Sequence, residues 1–268
     1  TFTTEHAESA LRVGEAFLNA AESLDEVQEH FLGRACAARI LARYRPVEDE
    51  ALQGYVGHVG HTVALHSDRP RTYGGYRFIV VESAVESGEP NAFAAPGGFV
   101  FVTSSLLSSL ESEDQLAAVL AHEVAHVVAR HGLKAIEDAR FKGAIGTAIV
   151  EGTRHLSDTE VREAAQVLQA SVGDVLKTIL ERGYSREQEM EADRLGITFA
   201  YRAGYDPAGL CQFLHSAEVA EGGPPRWLST HPGGRKRVRA SDDFVADSTM
   251  KGITLPIRTE RFRRFVAR

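Results

Sequence analysis

The chain contains no apolar run of the ~18–20 residues that a membrane span requires. The nearest stretch, residues 143–150 (GAIGTAIV), is far too short and reads as a packed helix of small residues. Positive charge is not in excess: the net charge is −7 and the pI about 5.9. That balance argues against nucleic acid or an anionic membrane surface as the main partner. Cysteine is scarce. Cys36 and Cys211 lie far apart and neither has C-x-x-C spacing, so a cysteine-ligated metal site is not expected. They form either one disulfide or two buried thiols. Internal repeats, low-complexity blocks and long linkers are missing too, so residues 1–268 are expected to form one domain. Composition is otherwise that of an ordinary globular protein with ample core, 43% apolar and 25% charged. Numbering opens on Thr1 rather than Met. A leader removed ahead of it, with a lipid anchor or membrane association through that segment, is compatible with this start.

What is present centres on residues 116–131, LAAVLAHEVAHVVARH. They contain His122-Glu123-Val124-Ala125-His126, an H-E-x-x-H pentad. On a helix, positions four apart share a face, with Cβ atoms roughly 5–6 Å apart. Two imidazoles so placed can reach one Zn²⁺ at about 2.0–2.1 Å. Glu123 then stands beside the metal without having to ligate it, placed to accept a proton from an activated water. Glu113 and Asp114 suit a helix start, where the dipole favours carboxylates. Leu116, Val119, Leu120, Val124, Val127 and Val128 give a wide apolar surface, and Gly132 is expected at the C′ stop. A helix apolar nearly all round is a buried one. Two histidines and a glutamate buried there are costly unless paired, and a metal would pair them.

The remaining elements follow from periodicity and punctuation. Residues 4–20 and 25–43 read as amphipathic helices, with Ser23 or Asp25 capping the second. A further helix is expected from Pro46 to about His66; His58 and His61 within it read as a surface or packing pair. Residues 77–82 (RFIVVE) read as a strand. Residues 91–95 (NAFAA) and 99–103 (FVFVT) read as neighbouring strands joined through Pro96-Gly97-Gly98. Such strands could wall a cleft, and an extended peptide could pair with an exposed edge. A short helix, 104–110, precedes the pentad helix. Helical stretches are expected at 133–150 and 157–181, joined by the polar link 151–154.

Residues 184–203 (YSREQEMEADRLGITFAYRA) form a second informative helix carrying Glu187, Glu189, Glu191 and Asp193. Glu189 and Asp193 share a face, as do Glu187 and Glu191. A zinc with two histidine ligands commonly takes a carboxylate third and keeps a fourth position open. Glu189 could ligate while Asp193, one turn on, accepts the other ring N–H of His122. Asp206-Pro207 opens another helix over 206–221. The loop 227–232 (WLSTHP) puts His231 near the single tryptophan, either as packing or as a donor to a developing oxyanion. Residues 241–268 read as a strand and a terminal helix that dock on the body.

Four segments together resemble the M48 class of zinc metallopeptidases, in the gluzincin group: NAFAAPGGFVFVTSSLL (91–107), LAAVLAHEVAHVVARHG (116–132), GYSREQEMEADRLGITFAYRAGYDP (183–207) and WLSTHP with Arg237 (227–237). They stand in the family's order and spacing. With a weaker match over 46–82, the resemblance spans roughly 28–240. It is strongest to soluble, envelope-type bacterial members and to the catalytic domain of the mitochondrial inner-membrane member. The resemblance implies an α+β, predominantly helical, zincin-like fold with a small sheet beside the active-site helix. It implies one Zn²⁺ per chain held by His122, His126 and Glu189, with Asp193 supporting and Glu123 as general base. Asn91, Ala92 and Phe93 match a substrate-binding strand whose backbone pairs with the peptide. His231 matches a late histidine near the zinc, as an oxyanion donor or an inhibitory fourth ligand. Glu187 and Glu191 fall as ordinary helix residues, and Arg237 as structural. Lys236 departs from the pattern, since an acidic residue usually stands there. The implied activity is endopeptidase action on polypeptides in the cell envelope or periplasm. The competing reading is a zinc-stabilised chaperone-like or binding protein.

Overall fold

The computed structural model describes residues 24–83, 90–134, 158–219, 226–232, 234–253 and 255–266. The helices expected at 4–20 and over most of 133–150, and the link 151–154, lie outside the described residues. A mixed four-stranded sheet runs through the centre. Its strands are β1 (Tyr44–Pro46), β2 (Arg77–Ser83), β3 (Ala92–Ala95) and β4 (Phe99–Thr103), in the order β1-β2-β4-β3. β2 and β4 are parallel; β1 and β3 flank them antiparallel. β3 and β4 are joined by the tight Pro96–Gly98 turn, as the Pro-Gly punctuation predicts.

Alternation along these strands separates two cores. Val100 and Val102 face one way with Ala92 and Ala94; Phe99 and Phe101 face the other with Phe93 and Ala95. Successive strand side chains point to opposite faces, so both faces must be covered. The valine face takes α2 (Glu50–Leu65) and α4 (Glu113–Val128). The phenylalanine face takes α1 (Glu26–Leu41) and α6 (Asp158–Lys177). The short α3 (Ser104–Ser109), capped by the Thr103 hydroxyl, leads from β4 into α4. The fold is thus α+β and predominantly helical, with the small sheet beside the pentad helix.

Every α4 residue from Glu113 to Val127 is buried, as an all-round apolar pattern predicts. Its N-terminal carboxylates are met from the far end of the chain. Arg261 pairs with Glu113, and Arg258 with Asp114 at 2.9 Å, both from α11 (Pro256–Val266). Tyr55 donates to Glu113 at 3.0 Å and its ring stacks on Phe265. The terminal helix therefore neutralises the start of the pentad helix.

Several expectations are corrected. Pro46 does not start a helix; it ends β1, and Asp49 caps α2 through Leu52 N–H. Three residues are too few to show strand alternation, and an edge strand tolerates proline's missing donor. The left-handed stop after α4 is Arg130, at φ 55°, while Gly132 lies inside the short α5 (His131–Lys134). Arg130 meets the cost of that conformation through its guanidinium, which binds Glu29 at 3.1 Å and the Leu24 carbonyl at 3.1 Å. The helix after Asp206 is α8 (Gly209–Val219), starting later because Asp206 first forms a turn onto Ala208 N–H. Residues Arg226–Thr230 form a short helix, α9, rather than a loop. In place of a strand, the tail forms α10 (Gly234–Asp247); its alternating basic and apolar pieces fit one helical face, with Arg237, Val238 and Ser241 buried. Asp25, one of the two caps expected, caps α1 in a capping box with Gln28.

Two predictions arise here. Glu29 is buried and binds Arg69, Arg130 and Gly97 N–H, tying α1 to the β3–β4 turn. Glu29→Ala should cost about 3 kcal/mol in urea unfolding, since it strips a buried ion pair of one partner. A loss below 1 kcal/mol would show that water replaces the carboxylate freely. The two cysteines are free and buried, and burial pushes both thiols up to about 12. Native protein at pH 8 should resist an aromatic disulfide reagent, and both thiols should titrate in urea without reductant. Fast native labelling, or missing thiols in urea, would contradict this.

Candidate metal centre

Two helices carry the site: α4, and α7 (Arg186–Arg202), which opens with a Ser185–Gln188 capping box. They pack closely because Gly196 lies against the α4 backbone. A Cβ there would meet His122 N at 2.9 Å and His122 Cα at 3.0 Å. One turn before Gly196 stands Asp193, and one turn before that Glu189, so both carboxylates face the pentad.

The side chains converge on one point. His122 Nε2 lies 3.0 Å from His126 Nε2 and 3.4 Å from a Glu189 oxygen; His126 Nε2 lies 3.6 Å from the other. His231, just after α9, brings its Nδ1 to 3.3 Å from His122 Nε2 and 3.1 Å from Glu189. All four residues are buried and offer ligand atoms within 4.8 Å of one another. Bonds of about 2.0–2.1 Å in a tetrahedron separate donors by roughly 3.3 Å. The observed spacings bracket that figure. Two imidazoles, a carboxylate and a third imidazole at these spacings make a donor set that could hold a divalent metal ion.

The surrounding groups fix the donors. Asp193 is 3.0 Å from His122 Nδ1 and takes two bonds from Arg237, at 2.5 and 2.7 Å. Arg237 also reaches Glu189 at 2.9 Å and the His231 carbonyl at 2.8 Å. Salt bridging that Lys236 does not provide is thus supplied through Arg237 itself. Tyr184 stacks on the His126 ring at 4.2 Å. Burial raises the Glu189 carboxyl, but His231 and Arg237 outweigh it and hold it well below the usual range. Asp193 is likewise held down by Arg237 against burial. Burial and Arg237 push His122 down; the hydrogen bonds its ring donates to the Asp193 and Glu189 carboxylates prevail and hold it at about 9. Burial keeps His126 well below the usual imidazole range.

Glu123 is fully buried beside the cluster. Trp227 Nε1–H donates to its Oε1 at 3.3 Å, and His231 Nε2 is 3.5 Å away. Its Oε2 has no hydrogen-bond partner among the described residues. Asn91, Ala92 and Phe93 lie on or just before β3. Asn91 accepts from the Thr230 hydroxyl at 3.1 Å, and its Nδ2 has no partner among the described residues. Antiparallel alternation, with Asn91 bonded to Thr103, turns the Ala92 backbone away from β4. Phe93 packs its ring against Tyr44 and Phe101 on the sheet's far face. The edge is not exposed as expected: α9 covers it, with Trp227 N–H on Pro90 O and His231 Nε2 3.3 Å from Ala92 O. Gly183, at φ 75°, seats that cover, since a Cβ there would meet Thr230 O at 2.4 Å.

Sequence reasoning missed four residues. Trp227 touches Glu123, Tyr184 stacks on His126, and His131 and Glu191 form a chain behind His126. Only Trp227 left a signal, as the single tryptophan four residues before His231. Glu187 is exposed at the helix start, away from the cluster. Glu191 is not the ordinary helix residue that was expected.

Comparison with known proteins agrees with this geometry. Residues 50–244 match the model for peptidase family M48. The beta-barrel assembly-enhancing protease of Escherichia coli is 27% identical over 229 residues, 84% of this chain and 45% of that protein. The mitochondrial metalloendopeptidase OMA1 of Schizosaccharomyces pombe is 36% identical over 169 residues, 60% of this chain and 45% of that protein. The mitochondrial metalloendopeptidase OMA1 of Bos taurus is 33% identical over 193 residues, 70% of this chain and 36% of that protein. The chain spans less than half the length of each of these relatives. With the family's model covering most of the chain, and an H-E-x-x-H helix facing a carboxylate helix at its centre, the chain belongs to peptidase family M48.

Proposed function

We propose that residues 1–268 act as one peptidase domain, a zinc-dependent endopeptidase that cleaves polypeptides in the cell envelope. The observation that carries this is the convergence of His122, His126 and Glu189, with Glu123 alongside and one of its oxygens without a partner among the described residues. Two imidazoles and a carboxylate at tetrahedral spacing suit zinc, one per chain. Zinc held there supplies Lewis acidity, which lowers the pKa of water and polarises a carbonyl. Glu123 takes the proton of the attacking water and returns it to the leaving amine. Asp193, anchored by Arg237, orients His122. The outward backbone of Ala92, between Asn91 and Phe93, pairs with the substrate as an added strand.

His231 occupies the fourth donor position in this arrangement and must leave it, and Ala92 O, before a peptide enters. Released, its ring is within reach of a developing oxyanion. His231→Ala should therefore lower kcat by about 10²-fold; a rise in kcat would make the ring purely inhibitory. The envelope setting rests on the bacterial relative named for β-barrel assembly.

Metal content and casein cleavage, with and without chelator, test the proposal. Cleavage should require the metal and return with added zinc. Chelation that lowers thermal stability in a protein showing no cleavage at any zinc level would favour the chaperone-like reading.

A further inference from the structure

Behind the cluster, His126 Nδ1 lies 2.8 Å from His131 Nδ1, and His131 Nε2 lies 3.2 Å from Glu191 Oε2. His131 is buried completely, while the Glu191 side chain is 47% exposed. The three groups form a line from the cluster to solvent. Local backbone explains how. His131 is five residues past His126 and would sit on another face of an unbroken helix. Arg130, in the left-handed conformation, breaks the helix between them, and His131 then lies within hydrogen-bond distance of His126.

We propose that His131 and Glu191 are positioning residues that fix the ring of His126 for metal binding. This rests on the zinc reading above. One proton arrangement satisfies the whole line. A ring that gives the Nε2 lone pair to a metal carries its proton on Nδ1. Nδ1–H of His126 then donates to Nδ1 of His131, which accepts as the neutral tautomer. Nε2–H of His131 donates to the Glu191 carboxylate, whose side chain reaches solvent. Asp193 gives His122 a carboxylate directly; for His126 the carboxylate acts through an intervening imidazole. Tyr184 stacked on His126 limits tilt, and His131 limits rotation within the ring plane. Loss of such an outer partner typically weakens metal affinity by about 10–100-fold.

The test uses the full chain in its wild-type, His131→Phe, His131→Gln and Glu191→Ala forms. Zinc affinity is measured by competition with a chromogenic chelator, and the visible spectrum is recorded after cobalt substitution. Apoprotein melting is recorded in parallel. H131F should bind zinc about 10–100-fold more weakly and show a shifted cobalt spectrum. H131Q, whose amide oxygen can accept from His126, should recover part of the affinity. E191A, altered at a half-exposed end, should fold normally and weaken binding less than H131F. Zinc affinities of H131F and E191A within twofold of wild type would overturn the inference while leaving the zinc reading intact. Should H131F fail to fold, E191A and H131Q decide the matter alone. A wild-type chain that binds no zinc would overturn both readings.

Discussion

If Glu123 is the general base proposed, Glu123→Gln should bind metal as the wild type does and lose cleavage by about 10²–10⁴-fold, the range expected for removing such a base. The amide matches the carboxylate in shape, so Trp227 Nε1–H still has an oxygen to donate to. Glu123 is outside the group of ligand atoms, so metal affinity has no reason to change. What the proposed mechanism loses is proton acceptance at Oε2, the oxygen without a partner among the described residues. Metal stoichiometry and kcat/KM on a quenched peptide check both halves. An E123Q protein cleaving at the wild-type rate would discard the base assignment.

The second large effect is expected far from any ligand, at Gly196. A methyl group there would press on the backbone of His122 and on Ala121 C, at 2.9–3.2 Å. Backbone atoms on a buried helix cannot swing aside, so α4 and α7 must move apart. Overpacking of this kind costs about 1–3 kcal/mol. The same displacement carries Glu189 and Asp193 away from His122. Misplacement by about 1 Å costs on the order of 10²-fold in rate. Gly196→Ala should therefore unfold at lower urea, bind zinc more weakly and cleave slowly. Unchanged stability with unchanged affinity would mean the helices have slack.

Much of this was legible in the sequence, for reasons particular residues show. The pentad helix and the 186–202 helix are long, periodic and capped, so their faces could be read directly. NAFAA and FVFVT stood out because a Pro-Gly turn separates two short apolar runs. Helical spacing alone leaves two pairs of acids that share a face, Glu189 with Asp193 and Glu187 with Glu191, and it is the family resemblance that chooses the first. What escaped depends on tertiary contact. β1 is three residues long. Arg130 takes a glycine's conformation because Glu29, in α1, holds its guanidinium. His131 and Glu191 meet beyond the point where that left-handed residue breaks the helix. The α9 cover over β3 depends on a seat at Gly183 that no local pattern reveals.

Anomalous diffraction at the zinc edge, from crystals of the zinc-loaded chain, tests the central claim most directly. One peak per chain is predicted, about 2.0–2.2 Å from His122 Nε2, His126 Nε2 and a Glu189 oxygen. A peak elsewhere, or no peak between α4 and α7 at saturating zinc, would contradict the account.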